Sequence, residues 1–239
     1  MLLPILAILF VATFIRSAFG FGEALVAVPL LALVIPIGVA APVAVLVSIT
    51  VAAVSVAQDW RHIHFRGAGS LFISTLFGIP VGLWMLSALP GTVIKIVIAL
   101  NIIAFSAFIL INRSPSVLKT DRLAPLFGFV AGIFGGAYGM NGPPLVAYGT
   151  FRRWTPQQFR ATLQGYFLPA SLIGMFGYWT AGFWTASVTR YYLLSLPVVF
   201  AAILAGRMAN RRFNGRIFHV CIHCGLIMTG TGLLLQTFG

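Results

Sequence analysis

The chain carries the same interrupted apolar stretch twice, and that repetition limits its fold more than any other feature. Phe10-Val11-Ala12 is followed by Ala18-Phe19-Gly20, and Phe129-Val130-Ala131 is followed at the same spacing by Ala137-Tyr138-Gly139. The offset, from Phe10 to Phe129, is 119 residues in a chain of 239. One residue later in register, Leu25-Val26-Ala27-Val28 answers Leu145-Val146-Ala147-Tyr148. Each copy is a hydrophobic stretch broken by glycine. Paired broken helices in the two halves of a membrane protein point to a transport site.

That this is a membrane protein follows from what surrounds the repeats. Hydrophobic residues make up 60% of the chain and charged ones 8%. The mean hydropathy is +1.03, outside the range of soluble domains. The polar loops are short, and no G-x-x-x-x-G-K-[ST] run occurs, so direct ATP drive by this chain is not expected. The formal charge of +12 comes from 15 Lys and Arg against 3 Asp and Glu. Those basic residues sit between apolar runs, as the positive-inside rule requires, and they also favour an anionic substrate. No nucleic-acid partner is expected. The first 20 residues lack a basic start and run on into more apolar sequence, so they do not read as a signal peptide.

The runs divide into two halves, 1–112 and 123–239. The first holds a hairpin at 3–38 and spans at 40–57, 70–89 and 92–111. The second holds a hairpin at 123–151 and spans at 161–180, 191–206 and 217–238. Arginines concentrate in the loops at 58–69, 112–122, 152–160 and 207–216, while the turns at 36–42 and 89–91 have none. Placing every Arg-rich loop in the cytoplasm makes each hairpin cross an even number of times, as two short spans or as one re-entrant loop. The hairpins then enter from opposite sides, and the halves are inverted repeats. Trp60 and Trp154 fit an inner aromatic belt, and Trp84, Trp179 and Trp184 an outer one.

The breaks hold the residues with chemistry. Arg16-Ser17-Ala18-Phe19-Gly20-Phe21-Gly22-Glu23 interrupts the first hairpin. Glycine weakens a helix by about 1 kcal/mol and admits conformations other residues avoid. A charge at the bilayer centre costs about 2.5–3.5 kcal/mol, so Arg16 and Glu23 either serve a site or pair with each other. The second break runs from Gly135 through Tyr138, Gly139, Met140, Asn141 and Gly142 to Pro143-Pro144. Prolines suit a helix start and Asn141 suits its cap. Two helix N-termini meeting from opposite sides would make an anion site. The expected substrate-binding set is Arg16, Ser17, Gly20, Gly22, Tyr138, Gly139, Asn141, Gly142 and Gln164, with Glu23 as a proton-exchanging group. Ser48, Thr50, Asn101, Thr162, Tyr166 and Ser171 either line the cavity or bond neighbouring helices.

Other chemistries lack their parts. His219 and His223 share a helix face, but Cys221 and Cys224 lie roughly opposite, so one tetrahedral metal site does not take all four. His62 and His64 read as a cytoplasmic turn. With only Glu23, Asp59 and Asp121 as carboxylates, hydrolytic chemistry has no visible machinery, and no enzyme activity, metal or cofactor is expected. The alternatives to a transporter are an anion channel and, less favoured, a membrane-embedded metal-dependent enzyme.

Arg16 to Leu31, with its Phe-Gly-Phe-Gly core and Pro29, resembles the glycine-rich motif of the TauE/SafE sulfite exporter family. Gly132 to Ala147 resembles it again, and Ala205-Gly206-Arg207 is similar to the family's small-Gly-Arg pattern. The chain departs from the motif at Glu23 and at Met140-Asn141, where relatives often have glycine. The resemblance implies a polytopic all-α secondary transporter of the cytoplasmic membrane. Its substrate would be a small anion such as sulfite, a sulfonate or a related organic anion. The expected mechanism is alternating access.

Overall fold

The computed structural model describes residues 2–19, 22–59, 65–111, 118, 120–154, 156–210, 224, 226–232 and 234–235. Gly20, Phe21, Trp60, His62, His64, His219, Cys221 and His223 lie outside the described residues, as does the Gln164 side chain. The described secondary structure is helical throughout. The first half contains α1 (Leu2–Phe19), α2 (Glu23–Ala32), α3 (Ile37–Asp59), α4 (Phe65–Ala88) and α5 (Gly91–Ile111). A short 3-10 turn at Asp121–Leu123 leads into α6 (Ala124–Tyr138), α7 (Gly142–Phe151), α8 (Pro156–Thr180) and α9 (Ala186–Asn210). Among the described residues four stretches are long and apolar enough to cross a membrane: Ile37–Ala57, Gly69–Ala88, Gly91–Ile111 and Ala186–Ala209. Large apolar side chains such as Leu3, Ile73, Phe77, Leu100 and Leu204 face outward, as a lipid-facing surface requires. Trp84, Trp179 and Trp184 are also exposed, close to the ends of α4 and α8 away from the Arg-rich loops.

Both halves open with a helix, a break and a 10-residue helix. Ten residues rise about 15 Å, half the hydrocarbon thickness, so neither α2 nor α7 can cross alone. Each hairpin therefore has one long arm and one short arm. The long spans outrun the apolar stretches of the sequence: α9 begins at Ala186 and α8 at Pro156. A helix continues through polar residues until its backbone bonds fail, whereas hydropathy marks only the greasy part.

The packing treats the halves alike. If α1, α2, α3 and α4 are exchanged with α6, α7, α8 and α9, the main contacts exchange too. α1 on α9 becomes α6 on α4, α3 on α9 becomes α8 on α4, and α3–α8 and α2–α7 map to themselves. The clearest exception is that α2 packs on α3, whereas α7 has no comparable contact with α8 among the described residues.

The α4–α6 pair is the most extensive, and glycine is the reason. Gly128, Gly132 and Gly136 of α6 recur every fourth residue; on α4, Gly128 meets Leu71, Gly132 meets Gly78, and Gly136 lies against Gly82. A Cβ at Gly132 would overlap the Thr75 carbonyl oxygen, and one at Gly136 the Ile79 oxygen. Without those methyls the two backbones touch, the small-residue packing that drives helix association in lipid. Thr75 fastens the seam, donating to the Leu71 oxygen (2.9 Å) or the Gly128 oxygen (2.8 Å) while pairing with the Tyr166 hydroxyl of α8. Helical residues 226–232 pack on α5, where a Cβ at Gly230 would come 2.7 Å from Ile103 Cγ1.

Candidate functional site

Arg16 and Glu23 are the buried charged residues among those described, at 3% and 1% exposure. They pair: Arg16 Nη1 donates to Glu23 Oε2 at 2.6 Å. The same nitrogen donates to Ser48 Oγ of α3, and Thr13 Oγ1 donates to Glu23 Oε1 at 3.3 Å. Thr13 was not singled out from the sequence, although a hydroxyl one helical turn before Arg16 in an apolar run was a usable signal. Local structure explains the reach. Gly22 has φ +99°, a left-handed conformation that only glycine adopts without strain. The reversal starts α2 at Glu23 and turns that side chain back onto α1.

The pair leaves Arg16 half used. Nε and Nη2 are buried and have no hydrogen-bond partner among the described residues. These two nitrogens form one edge of the guanidinium plane, with N–H bonds side by side. Such an edge matches two oxygens of a carboxylate, sulfite or sulfonate. The Arg16 guanidinium lies over the Phe167 ring of α8, Cζ 5.3 Å from the ring centroid.

The second break is built without charge. Gly139, at φ +69°, closes α6: its N–H bonds the Gly135 oxygen at 2.9 Å, and the Met140 N–H bonds the Phe134 oxygen at 3.1 Å. This pair of bonds satisfies the last carbonyls of α6. The Tyr178 hydroxyl of α8 also donates to the Gly135 oxygen, at 3.2 Å. Asn141 occupies the cap position of α7 but makes no side-chain cap bond, which corrects the expected cap; its side chain lies against Gly135. Pro143 and Pro144 have no N–H, so the start of α7 offers fewer free amides than the start of α2. Tyr138 is buried with its hydroxyl unpartnered among the described residues and its ring beside Phe134.

Two bridges join the breaks. On α3, a Cβ at Gly139 would lie 2.6 Å from Val45 Cγ2, and Ser48, three residues on, holds Arg16. Residues three apart share a helix face. Between α2 and α8, a Cβ at Gly142 would lie 3.9 Å from both Leu25 Cδ1 and Phe167 Cζ. Arg16, Gly22, Glu23, Gly139, Asn141 and Gly142 thus converge. Ser17 does not join them: it faces α9, its Cβ 2.7 Å from where Gly206 would carry one, and its hydroxyl has no partner among the described residues. Of the polar span residues, Thr50 bonds the Leu46 oxygen (3.1 Å) and the Tyr192 hydroxyl (2.8 Å), joining α3 to α9. Asn101 lines a separate apolar groove of about 450 Å³ between α5, α6 and α7. With Phe105, Leu126 and Pro144 among its walls, that groove suits hydrocarbon rather than an anion.

At its base the second hairpin is clasped to the linker between the halves. Tyr148 donates to Asp121 Oδ1, and Arg152 Nη1 to the Leu118 oxygen at 2.8 Å. Arg152 Nε lies 3.1 Å from Asp121 Oδ1 as an ion pair, with no hydrogen bond at that nitrogen among the described residues. The Leu118 N–H bonds the Phe151 oxygen at 2.9 Å. Among the described residues no cluster of His, Cys, Asp or Glu could hold a metal.

Comparison with known proteins agrees with the residues. The model of the family described as Sulfite exporter TauE/SafE matches residues 5–233. A curated protein of Cupriavidus necator, described as a probable sulfite/organosulfonate exporter TauE, is 28% identical over 250 residues. That match covers 98% of this chain and 95% of that protein. No solved structure matches the chain.

Proposed function

This chain belongs to the sulfite exporter TauE/SafE family, and on that premise we propose that it carries sulfite or a small organosulfonate out across the cytoplasmic membrane. The observation that carries the substrate class is the Nε/Nη2 edge of buried Arg16, which has no hydrogen-bond partner among the described residues. A two-donor cationic fork in a dry interior prefers an oxyanion presenting two oxygens. The amides that begin α2 would add further donors, since the first N–H groups of a helix have no partner within it.

Transport follows from placing that seat where two re-entrant hairpins meet. We read each half as one hairpin that does not cross and three spans, an odd count that would invert the halves in the membrane. Rocking one half against the other would expose the seat to each side in turn. Glu23 is the coupling group. Its carboxylate already neutralises Arg16, so an arriving anion leaves one buried negative charge uncompensated. A proton on Glu23 removes that charge and frees Nη1 for the substrate.

Purified protein in liposomes tests the reading. Saturable counterflow of sulfite and methanesulfonate is expected, without unitary currents, which separates a carrier from a channel. Arg16→Lys keeps the charge and loses the fork; sulfonate counterflow at the parent level in that variant would refute the seat. Glu23→Gln should flatten the pH dependence of flux, and a retained pH profile would remove Glu23 from coupling.

A further inference from the structure

Phe167 belongs to no glycine motif and carries no charge, yet it touches both breaks. The Arg16 guanidinium lies over its ring, and the ring Cζ sits 3.9 Å from the position a Gly142 Cβ would take. Leu25 closes the same corner from α2. The residue is 7% exposed. It is also braced: its ring meets Tyr166 edge-on, centroids 5.9 Å apart, and Tyr166 is tied to Thr75 in the glycine seam. An aromatic ring held this way cannot swing aside freely, because interiors are close-packed and side chains keep to their rotamers.

We propose that Phe167 is the specificity-determining wall of the anion seat, limiting the size of the group attached to the sulfur. The proposal rests on the Arg16 reading above. With Phe167 beside the guanidinium and Nη1 already bonded to Glu23 and Ser48, the donors left for an oxyanion head lie along the Nε/Nη2 edge. The body of the substrate then points toward the ring, Leu25 and Gly142, where apolar contact is available and bulk is not.

The test is a graded series of competitors in counterflow: methane-, ethane-, propane-, butane- and benzenesulfonate. The quantity read is the ratio of inhibition by the largest to the smallest. A merely structural defect lowers all competitors together and leaves this ratio alone. Phe167→Leu and Phe167→Ala should raise the ratio roughly tenfold, the scale on which a pocket discriminates by a methylene or more. Phe167→Trp should move it the other way. Ratios within about twofold of the parent in all folded variants overturn the proposal. Use of two truncations and one enlargement keeps the outcome readable if a single variant fails to fold. Arg16→Lys run beside them separates the two claims: normal sulfonate binding there sinks the seat itself, whereas impaired binding there with unmoved Phe167 ratios sinks only the wall.

Discussion

The two hairpins have the same plan and are secured in opposite ways. The first is pinned at its tip, inside the protein, where Arg16, Glu23, Thr13 and Ser48 bond across α1, α2 and α3. Its short arm also packs along α3. The second has no charge at its tip, which is shaped by the Gly139 reversal and the Tyr178 hydrogen bond. Its charges are at the base, where Asp121, Arg152 and Tyr148 clasp the linker. Its long arm is held by glycine contact with α4. Ion pairing is strong where water is excluded and weak where it is not. The first hairpin has therefore put its charges in the dry interior, where they bond its two arms to each other and to α3. The second uses packing and leaves its charges as a surface clasp.

Substitutions that act on one hairpin sharpen this contrast. The largest effect belongs to Arg16→Ala, which strands Glu23 as a buried unpaired charge. A loss of about 3–5 kcal/mol and of transport is expected, read as unfolding temperature in detergent and flux in liposomes. Stability close to the parent would show that the first tip is not held by charge. Next comes Gly132→Ala, whose methyl would meet the Thr75 backbone oxygen in the α4–α6 seam. Backbone cannot move aside as a side chain can, so about 3 kcal/mol is expected on the same thermal measurement.

The two left-handed glycines give a matched pair. Gly22→Ala adds a methyl 3.5 Å from Ile15 Cγ2, an ordinary contact, so only the conformational cost of about 1–2 kcal/mol remains. Gly139→Ala carries that cost and also drives a methyl to 2.6 Å from Val45 Cγ2, a β-branched side chain with little rotamer freedom in a helix. The Gly139 variant should melt lower than the Gly22 variant; the reverse order would mean that the tips are not packed as described. The smallest effect is expected of Asp121→Asn. Asp121 is 65% exposed, and solvent-screened pairs are worth about 0–1 kcal/mol. A large fall in its melting temperature would make the base clasp as important as the buried pair.

Hydropathy, loop arginines and the doubled glycine motif were enough to read an all-helical membrane protein of this family with two interrupted hairpins. The breaks fall where the motif puts them, before Glu23 and before Gly142. Other features were hidden. Gly78, Gly82, Gly128, Gly132 and Gly136 have the spacing of a packing motif, but their pairing across the sequence midpoint depends on which helices become neighbours. Phe167 read as one more apolar residue in a span, because a sequence shows hydrophobicity and not what a ring covers. The expected cap at Asn141 fits the position and misses the contact, since Gly135 beside it offers the side chain another place to lie.

By itself the sequence determined the solvent, the helix content and the location of the breaks. Those depend on apolar length and on residues that lack a Cβ or an N–H, which are local properties. Only the tertiary structure decided whether Arg16 and Glu23 pair: Nη1 bonds Glu23 and Ser48, while Nε and Nη2 have no hydrogen-bond partner among the described residues. That outcome depends on α3 supplying Ser48 and α8 supplying Phe167 from 32 and 151 residues away. Contacts at such separations come from packing, and no local pattern encodes them.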